Sequence, residues 1–419
     1  MTVLERFLKY ISIDTTSSSK TNTIPSNKNE YILAKLLLKE LKELGIKDIH
    51  YDKENCYIYA VIKGNDALPK IGFIAHMDTS ETVCGKNIKP RLIKNYDGND
   101  IKLNDEVTMS PEEYPDLKNH IGKTLIVTDG TTLLGADDKA GIAEIMTMAE
   151  YFSKTKEMHG DVYIGFNPDE EIGNGLEKFS YEKFKTPIAY TIDGADLGEL
   201  SYENFNAASA TIEIEGVSSH CGMAKGIMVN AILIANSLIS ELPNETPANT
   251  EGYEGFFHIE EIEANVTSAK LKYLIRDFDK NNFEKRKMLL EEIVKKLNQK
   301  YDNRITIKIQ DSYKNMKEII EQDMSIIELP IKAMKLSGIK PIIKPIRGGT
   351  DGADATFNGL PCPNIGTGGH NFHSVYEYIA VEDMEKTSEI LISMVKENND
   401  KKILTKRKDS YQQKKVDTN

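Results

Sequence analysis

The sequence predicts an α/β protein: a discontinuous domain with a central mixed sheet flanked by helices, interrupted by an inserted α+β domain. Three observations carry this. Short apolar β-prone runs alternate with helical spacings over the first two hundred residues. Several of those runs end on an acid or a histidine, where an α/β sheet places its chemistry. The pattern changes after about Asn206 and resumes before a last histidine-bearing loop, so a domain that uses both halves has to be discontinuous.

The elements follow in order. Val3 to Tyr10 reads as a helix, and the Ser/Thr/Asn-rich stretch Asp14 to Lys28 as a loop. Asn29 to Leu44 has helical apolar spacing and stops at Gly45. Tyr57 to Ile62 and Ile71 to Ala75 read as strands, the second running into His76. Leu125 to Val127 is a short β-prone run, and Gly141 to Phe152 a helix with Asp137 and Asp138 just before it. Val162 to Phe166 feeds Asp169-Glu170-Glu171, and Ile188 to Ile192 feeds Asp193. The inserted part reads β-α-β-α-β: strands over 210–215, 269–277 and 305–309, helices over 229–242 and 283–297. A helix near Ile326 to Lys335 and a loop from Arg347 to Asp354 precede His373. The expected domains are 1–205 with 313–400, and 206–312. The polar, Lys-rich tail 401–419 is expected to be disordered or a frayed helix extension.

Composition removes several classes. The 419 residues, 40% hydrophobic and 28% charged, suit a globular protein with a sizeable core. A net charge of −12 argues against nucleic acid and against an anionic membrane surface. No apolar stretch approaches the ~20 residues of a membrane span, and the N-terminus lacks the apolar core of a signal peptide. Cys56, Cys84, Cys221 and Cys362 form no CxxC pair. These observations predict a cytoplasmic protein. Only seven of the 53 basic residues are Arg, so an Arg can mark a place that needs a planar bidentate fork.

Five segments carry the chemistry: His76-Met77-Asp78, Ala136-Asp137-Asp138-Lys139, Asp169-Glu170-Glu171, Ile192-Asp193-Gly194 and Asn371-Phe372-His373. Together they offer two histidines, a shareable carboxylate, two terminal carboxylates and a spare Glu, the parts that metal-assisted hydrolysis needs. Each alone has an ordinary reading. Asp137 and Asp138 could simply cap a helix, and Asp169-Glu170-Glu171 could be a solvated turn. Spacing does not separate His370 from His373 as the last ligand.

The segments resemble the peptidase T family, tripeptide aminopeptidases within the aminoacylase/carboxypeptidase clan of co-catalytic zinc enzymes. The resemblance runs from Glu5 to about Lys396 and includes Gly72 to Thr79, Leu134 to Gly141 and Pro168 to Glu171. Tyr202 to Ala208, Ile275 to Asp279 and Arg347 to Gly352 match the peptidase T branch more specifically. The resemblance implies two zinc ions per subunit, one on His76, Asp137 and Asp193, the other on Asp137, Glu171 and His373. Glu170 would be the general base acting on a metal-bridging hydroxide, and Asp78 would orient His76. The Asp137–Asp138 peptide bond would be cis. The inserted domain would serve as lid and dimerisation surface of a homodimer. His220 would reach a reaction-centre oxygen, Arg276 and Arg347 would grip the substrate's C-terminal carboxylate, and Asn230 would touch substrate. Cys221, Ser374 and Val375-Tyr376 depart from the family pattern, which has Pro, Gly and Lys-His at those places.

The expected activity is release of the N-terminal residue from short free peptides, preferentially tripeptides. Sibling dipeptidase, acylase or carboxypeptidase chemistry shares the same core. A non-catalytic peptide-binding relative is the alternative from another class.

Overall fold

A computed structural model describes residues 1–399. The described chain divides into two compact units. The first comprises Met1–Tyr202, Glu318–Lys344 and the described chain from Thr350; the second comprises Glu203–Lys317 and Pro345–Gly349.

The first unit is built on an eight-stranded mixed sheet. Its strands run, edge to edge, Asp48–Asp52, Tyr57–Ile62, Val162–Asn167, Ile71–His76, Ala189–Gly194, Asn364–Gly366, Glu199–Ser201 and Ile342–Ile343. Val162–Asn167, Ile71–His76, Ala189–Gly194 and Asn364–Gly366 are parallel neighbours. Their carboxyl ends therefore open on one edge of the sheet. All six residues of Tyr57–Ile62, Ile71–His76 and Val162–Asn167 are buried, which is why these strands read as apolar runs without alternation.

Helices Val3–Ile11, Ala136–Lys154, Ser325–Leu336 and Val381–Glu397 pack with one another in this unit. A separate aromatic cluster gathers Tyr57, Tyr59, Tyr163, Phe179 and Phe184 with Ala355 of the short helix Asp351–Phe357. That helix corrects the expected loop over 347–354. A small sheet of Arg91–Ile93, Leu125–Val127, Tyr378–Ala380 and Gly369–His370 completes the unit.

The second unit is a four-stranded antiparallel sheet in the order Phe256–Ala264, Ser268–Asp277, Asn206–Glu215, Ile305–Tyr313. Helices Ala231–Glu241 and Lys280–Lys300 cover one face, burying Ile212, Ile234, Leu238, Leu271, Leu290 and Val294 among others. The observed order is β-α-β-β-α-β, one strand more than expected. The extra strand, Phe256–Ala264, has five consecutive exposed residues from Glu260 to Ala264, so it lies outside the alternating pattern that marks a half-buried strand. No helix among the described residues is long and apolar enough to cross a membrane. The 401–419 tail lies outside the described residues.

Candidate active site

The parallel topology explains why five distant segments converge. His76 is the last residue of its strand and pairs in register with Asn167, the last residue of the neighbouring strand. Asp169 then turns the chain, with φ 55° and both carboxylate oxygens accepting the Ser26 N–H at 3.0 and 2.8 Å. That turn delivers Glu170 and Glu171 beside His76. Asp193 sits near the end of the strand on the other side. His373 follows the strand Asn364–Gly366, with φ 60° in a tight loop.

Asp137 and Asp138 were expected ahead of a helix. They lie inside the first turn of Ala136–Lys154 but have non-helical backbone angles, and the peptide bond between them is cis. Glu377 accepts the N–H groups of Leu134, Gly135 and Asp137 at 2.6, 2.9 and 3.2 Å, anchoring this turn. No sequence motif marks Glu377; it was missed because its partners are backbone groups more than two hundred residues away. Asp138 turns inward, accepting the His76 N–H and the Gly141 N–H, each at 3.2 Å.

Asp137 occupies the centre. Its Oδ1 lies 2.9 Å from Nε2 of His76, and its Oδ2 lies 3.0 Å from Nε2 of His373. His76 Nε2 is also 3.4 Å from Asp193, and His373 Nε2 is 2.9 Å from Glu171. Asp78 faces Nδ1 of His76 at 3.2 Å. The same carboxylate accepts the N–H of Glu170 at 3.0 Å and of Glu171 at 3.1 Å. One buried acid therefore orients an imidazole and also holds the turn that carries both glutamates. His370, the competitor of His373, is elsewhere: its Nε2 lies 3.2 Å from that of buried His120.

The electrostatics are those of a site short of positive charge. Burial, followed by repulsion from Asp193 and Asp351, pushes the Glu170 carboxyl well above its usual range. Burial raises Asp193 to about 6, and burial with Asp137 raises Glu171 to about 7. Hydrogen bonds to Asp137 and Glu171 raise His373 to about 11. Burial by itself would lower His76, but Asp193, Asp137 and Asp78 together hold it well above the ordinary imidazole value.

This donor set fits divalent cations. Two ligand atoms on a tetrahedral zinc, each about 2.0–2.1 Å from it, sit about 3.3 Å apart. The histidine–carboxylate separations here are 2.9–3.4 Å. Oε1 of Glu171 is buried with no hydrogen-bond partner, an acceptor that a cation would satisfy. Two trios hold their candidate ligand atoms within 4.8 Å: His76 with Asp137 and Glu171, and His76 with Glu170 and Asp193. Neither trio is one of the sets that the resemblance implies, since Glu171 and Glu170 each group with His76. The four pair distances above nevertheless link every residue of the implied sets.

The remaining residues singled out from sequence belong to the second unit. His220 is exposed, and its Nδ1 accepts the Gly222 N–H at 3.3 Å. Asn230 caps helix Ala231–Glu241, accepting the Ile232 N–H at 2.9 Å. Arg276 donates to the carbonyls of Ala208 and Ile275 at 3.1 and 3.0 Å and lies over the Tyr313 ring. Arg347 donates to the carbonyls of Gly252, Glu254 and Thr250 and lies over Phe205 and Phe256. Phe256 pairs across the sheet with Arg276, so the two arginines share one corner of this unit.

A histidine–carboxylate cluster fit for cations stands at the carboxyl edge of a mixed α/β sheet, with a separate α+β unit inserted in the chain, and comparison with known proteins gives its class: a peptidase. In keeping with this, residues 202–305 match the profile of the peptidase dimerisation domain. Peptidase T of Caldanaerobacter subterraneus subsp. tengcongensis is 52% identical over 400 residues, covering 94% of this chain and 98% of the relative. The chain belongs to the peptidase T family. Among solved structures, an aminopeptidase from Bacillus cereus shares the fold at TM-score 0.76 and 22% identity, covering 95% of this chain and 98% of that one. A Bacillus subtilis dinuclear metal binding peptidase from the M20 family shares it at TM-score 0.64 and 15% identity, covering 94% and 96%.

Proposed function

We propose that the protein is a dizinc aminopeptidase that releases the N-terminal residue of short free peptides, preferentially tripeptides. The observation that carries this reading is the Asp137 carboxylate, which offers one oxygen to His76 and the other to His373. A carboxylate so placed can serve two cations at once, with Asp193 and Glu171 as the outer ligands. Two zinc ions bound there would polarise the scissile carbonyl and acidify a water.

The protein's own residues do the rest. Asp78 holds Nδ1 of His76, leaving Nε2 to face the cluster. Glu170, suspended by its backbone from Asp78, is the general base. It takes a proton from the attacking water and returns it to the leaving amine nitrogen. His220 supplies the reaction-centre contact, and Arg276 and Arg347 bind the substrate's carboxylate end with Asn230 nearby on the peptide. The homodimer forms through the second unit, in line with its match to the peptidase dimerisation domain. The protein works in the cytoplasm on short peptides.

The test compares free, N-acetylated and C-amidated forms of one tripeptide with zinc-loaded protein, following products by mass. Release of the first residue from the free peptide only, with a large loss on C-amidation, is the expected result. Cleavage of the acetylated form would move the activity to the acylase or carboxypeptidase branch. Tight binding of every form without turnover would make the protein a peptide-binding relative.

A further inference from the structure

One buried carboxylate in the first unit bears on the site only through its charge, with no role yet assigned to it. Asp351, only 5% exposed, heads the helix Asp351–Phe357. Its Oδ2 accepts a 2.6 Å hydrogen bond from Nδ2 of Asn167. Asn167 ends the strand beside His76, pairs with it in register, and accepts the Met77 N–H at 2.8 Å on its carbonyl. Asp351 is thus one side chain away from the metal-candidate histidine. Its position is fixed by Gly175: a Cβ there would lie 2.2 Å from Oδ1 and 2.7 Å from Oδ2, so the carboxylate fills the space a side chain would take.

Two features show what this corner lacks. Asn167 is fully buried, yet its Oδ1 has no partner, and its orientation is set by the bond that Nδ2 makes to Asp351. An orphaned amide oxygen beside a carboxylate is a set of acceptors without a donor. The other acids nearby, apart from Glu170, the assigned base, are occupied. Asp137 faces both histidines, Glu171 faces His373, Asp193 faces His76, and Asp78 and Asp138 take backbone N–H groups.

We propose that Asp351, with the Asn167 amide oxygen, receives the α-ammonium group of the substrate. An ammonium has three donors, no acceptor and a positive charge, the complement of what the corner presents. The assignment rests on the aminopeptidase reading and deepens it, because an enzyme that requires a free N-terminus needs a group that recognises one. Burial, with Asp193 adding to it, holds the Asp351 carboxyl well above its ordinary range. A cation set against it offsets that penalty. Asp351 also adds to the electrostatic field at Glu170.

The experiment measures, by calorimetry on zinc-loaded protein, the binding of L-leucinol and of 4-methylpentan-1-ol, its des-amino analogue. Wild-type protein is expected to favour leucinol by about 30-fold or more, the scale of one desolvated charge pair. Asp351→Asn is expected to bring that preference close to unity with zinc content unchanged. In turnover, it should raise KM for a free tripeptide more than it lowers kcat, a split that a purely structural role would not give. Asp351→Ser, which fits beside Gly175, is the second variant should the first not fold. A folded variant that keeps the full preference overturns the proposal, and so does loss of zinc with the substitution, which would make Asp351 a metal-supporting residue. Failure of the underlying reading shows differently: wild-type protein would itself ignore the amine and cleave N-acetylated tripeptide.

Discussion

The two units place their functional candidates in opposite ways. In the first, the acids and imidazoles gather where buried strands end, exposed His373 arriving from a loop and Asp137 from a helix start, and they hold one another directly. Asp137, Asp78 and His76 each have their contacts specified to a single atom. In the second, the candidates are exposed or bound to the backbone. His220 is open, Asn230 caps a helix, and the two guanidinium groups donate to carbonyls. A chemical centre has to be rigid before substrate arrives. Groups that greet a substrate can be held by weaker local bonds and exchange them on binding.

That contrast can be broken by substitution. The largest effect is expected from Asp137→Ala, which removes the carboxylate both histidines share. Metal analysis should find bound zinc reduced and peptide turnover abolished, and full retention of both would end the bridging role. Chelation of wild-type protein should likewise abolish turnover, with zinc restoring it. Glu170→Ala comes next: a loss of kcat of about a thousandfold, within the range of general-base catalysis, with zinc content intact. Near-normal kcat would show that another group carries the proton. Asp78→Asn should cost about 10–100-fold in zinc affinity or activity, the usual scale for a partner of a ligating histidine. If it had no effect, the account of Asp78 as a joint support for His76 and the glutamate turn would fail.

The second unit should respond on a different axis. Arg347→Ala leaves the carbonyls of Thr250, Gly252 and Glu254 without their donor, so thermal melting should show a loss of about 1–3 kcal/mol. Its effect on kinetics should fall on KM and shrink when the peptide is C-amidated. A loss of stability with no change in KM would leave Arg347 as a brace of the 250–254 loop alone.

The smallest effect is a control on the helix that carries Asp137. Glu144 is fully buried with no partner on either oxygen, and burial raises its carboxyl well above the usual value. A raised acid binds its proton more tightly in the folded state. Its contribution is therefore full below the unfolded value, about 4.3, and is lost as pH rises through the folded one. Glu144→Gln should flatten this decline in a series of melting curves and leave zinc content untouched. A decline of the same steepness in the variant would place its origin elsewhere.

Much of the fold was legible because the decisive signals are local. Tyr57–Ile62, Ile71–His76 and Val162–Asn167 are buried on both faces, so their apolar runs mark them without any neighbour's help. Phe256–Ala264 was not legible, because its outer half is exposed and its pairing with Ser268–Asp277 supplies the order that its side chains do not. The strands Asn364–Gly366 and Ile342–Ile343 are too short to carry a period and exist only as additions to a sheet already formed.

The sequence by itself supplied the chemical inventory: His76, Asp78, Glu170, Glu171 and Asp193 follow β-prone runs, Asp137 precedes a helical spacing, and His373 lies in a late loop. Only the tertiary structure decided which of them meet. Parallel neighbours bring the ends of four strands to one edge, and no local period encodes that order. It also separated His373 from His370, since three residues of tight loop turn one imidazole toward Asp137 and the other toward His120. Glu377 and Asp351 emerged only there, because a carboxylate is defined by what surrounds it, and their surroundings come from distant parts of the chain.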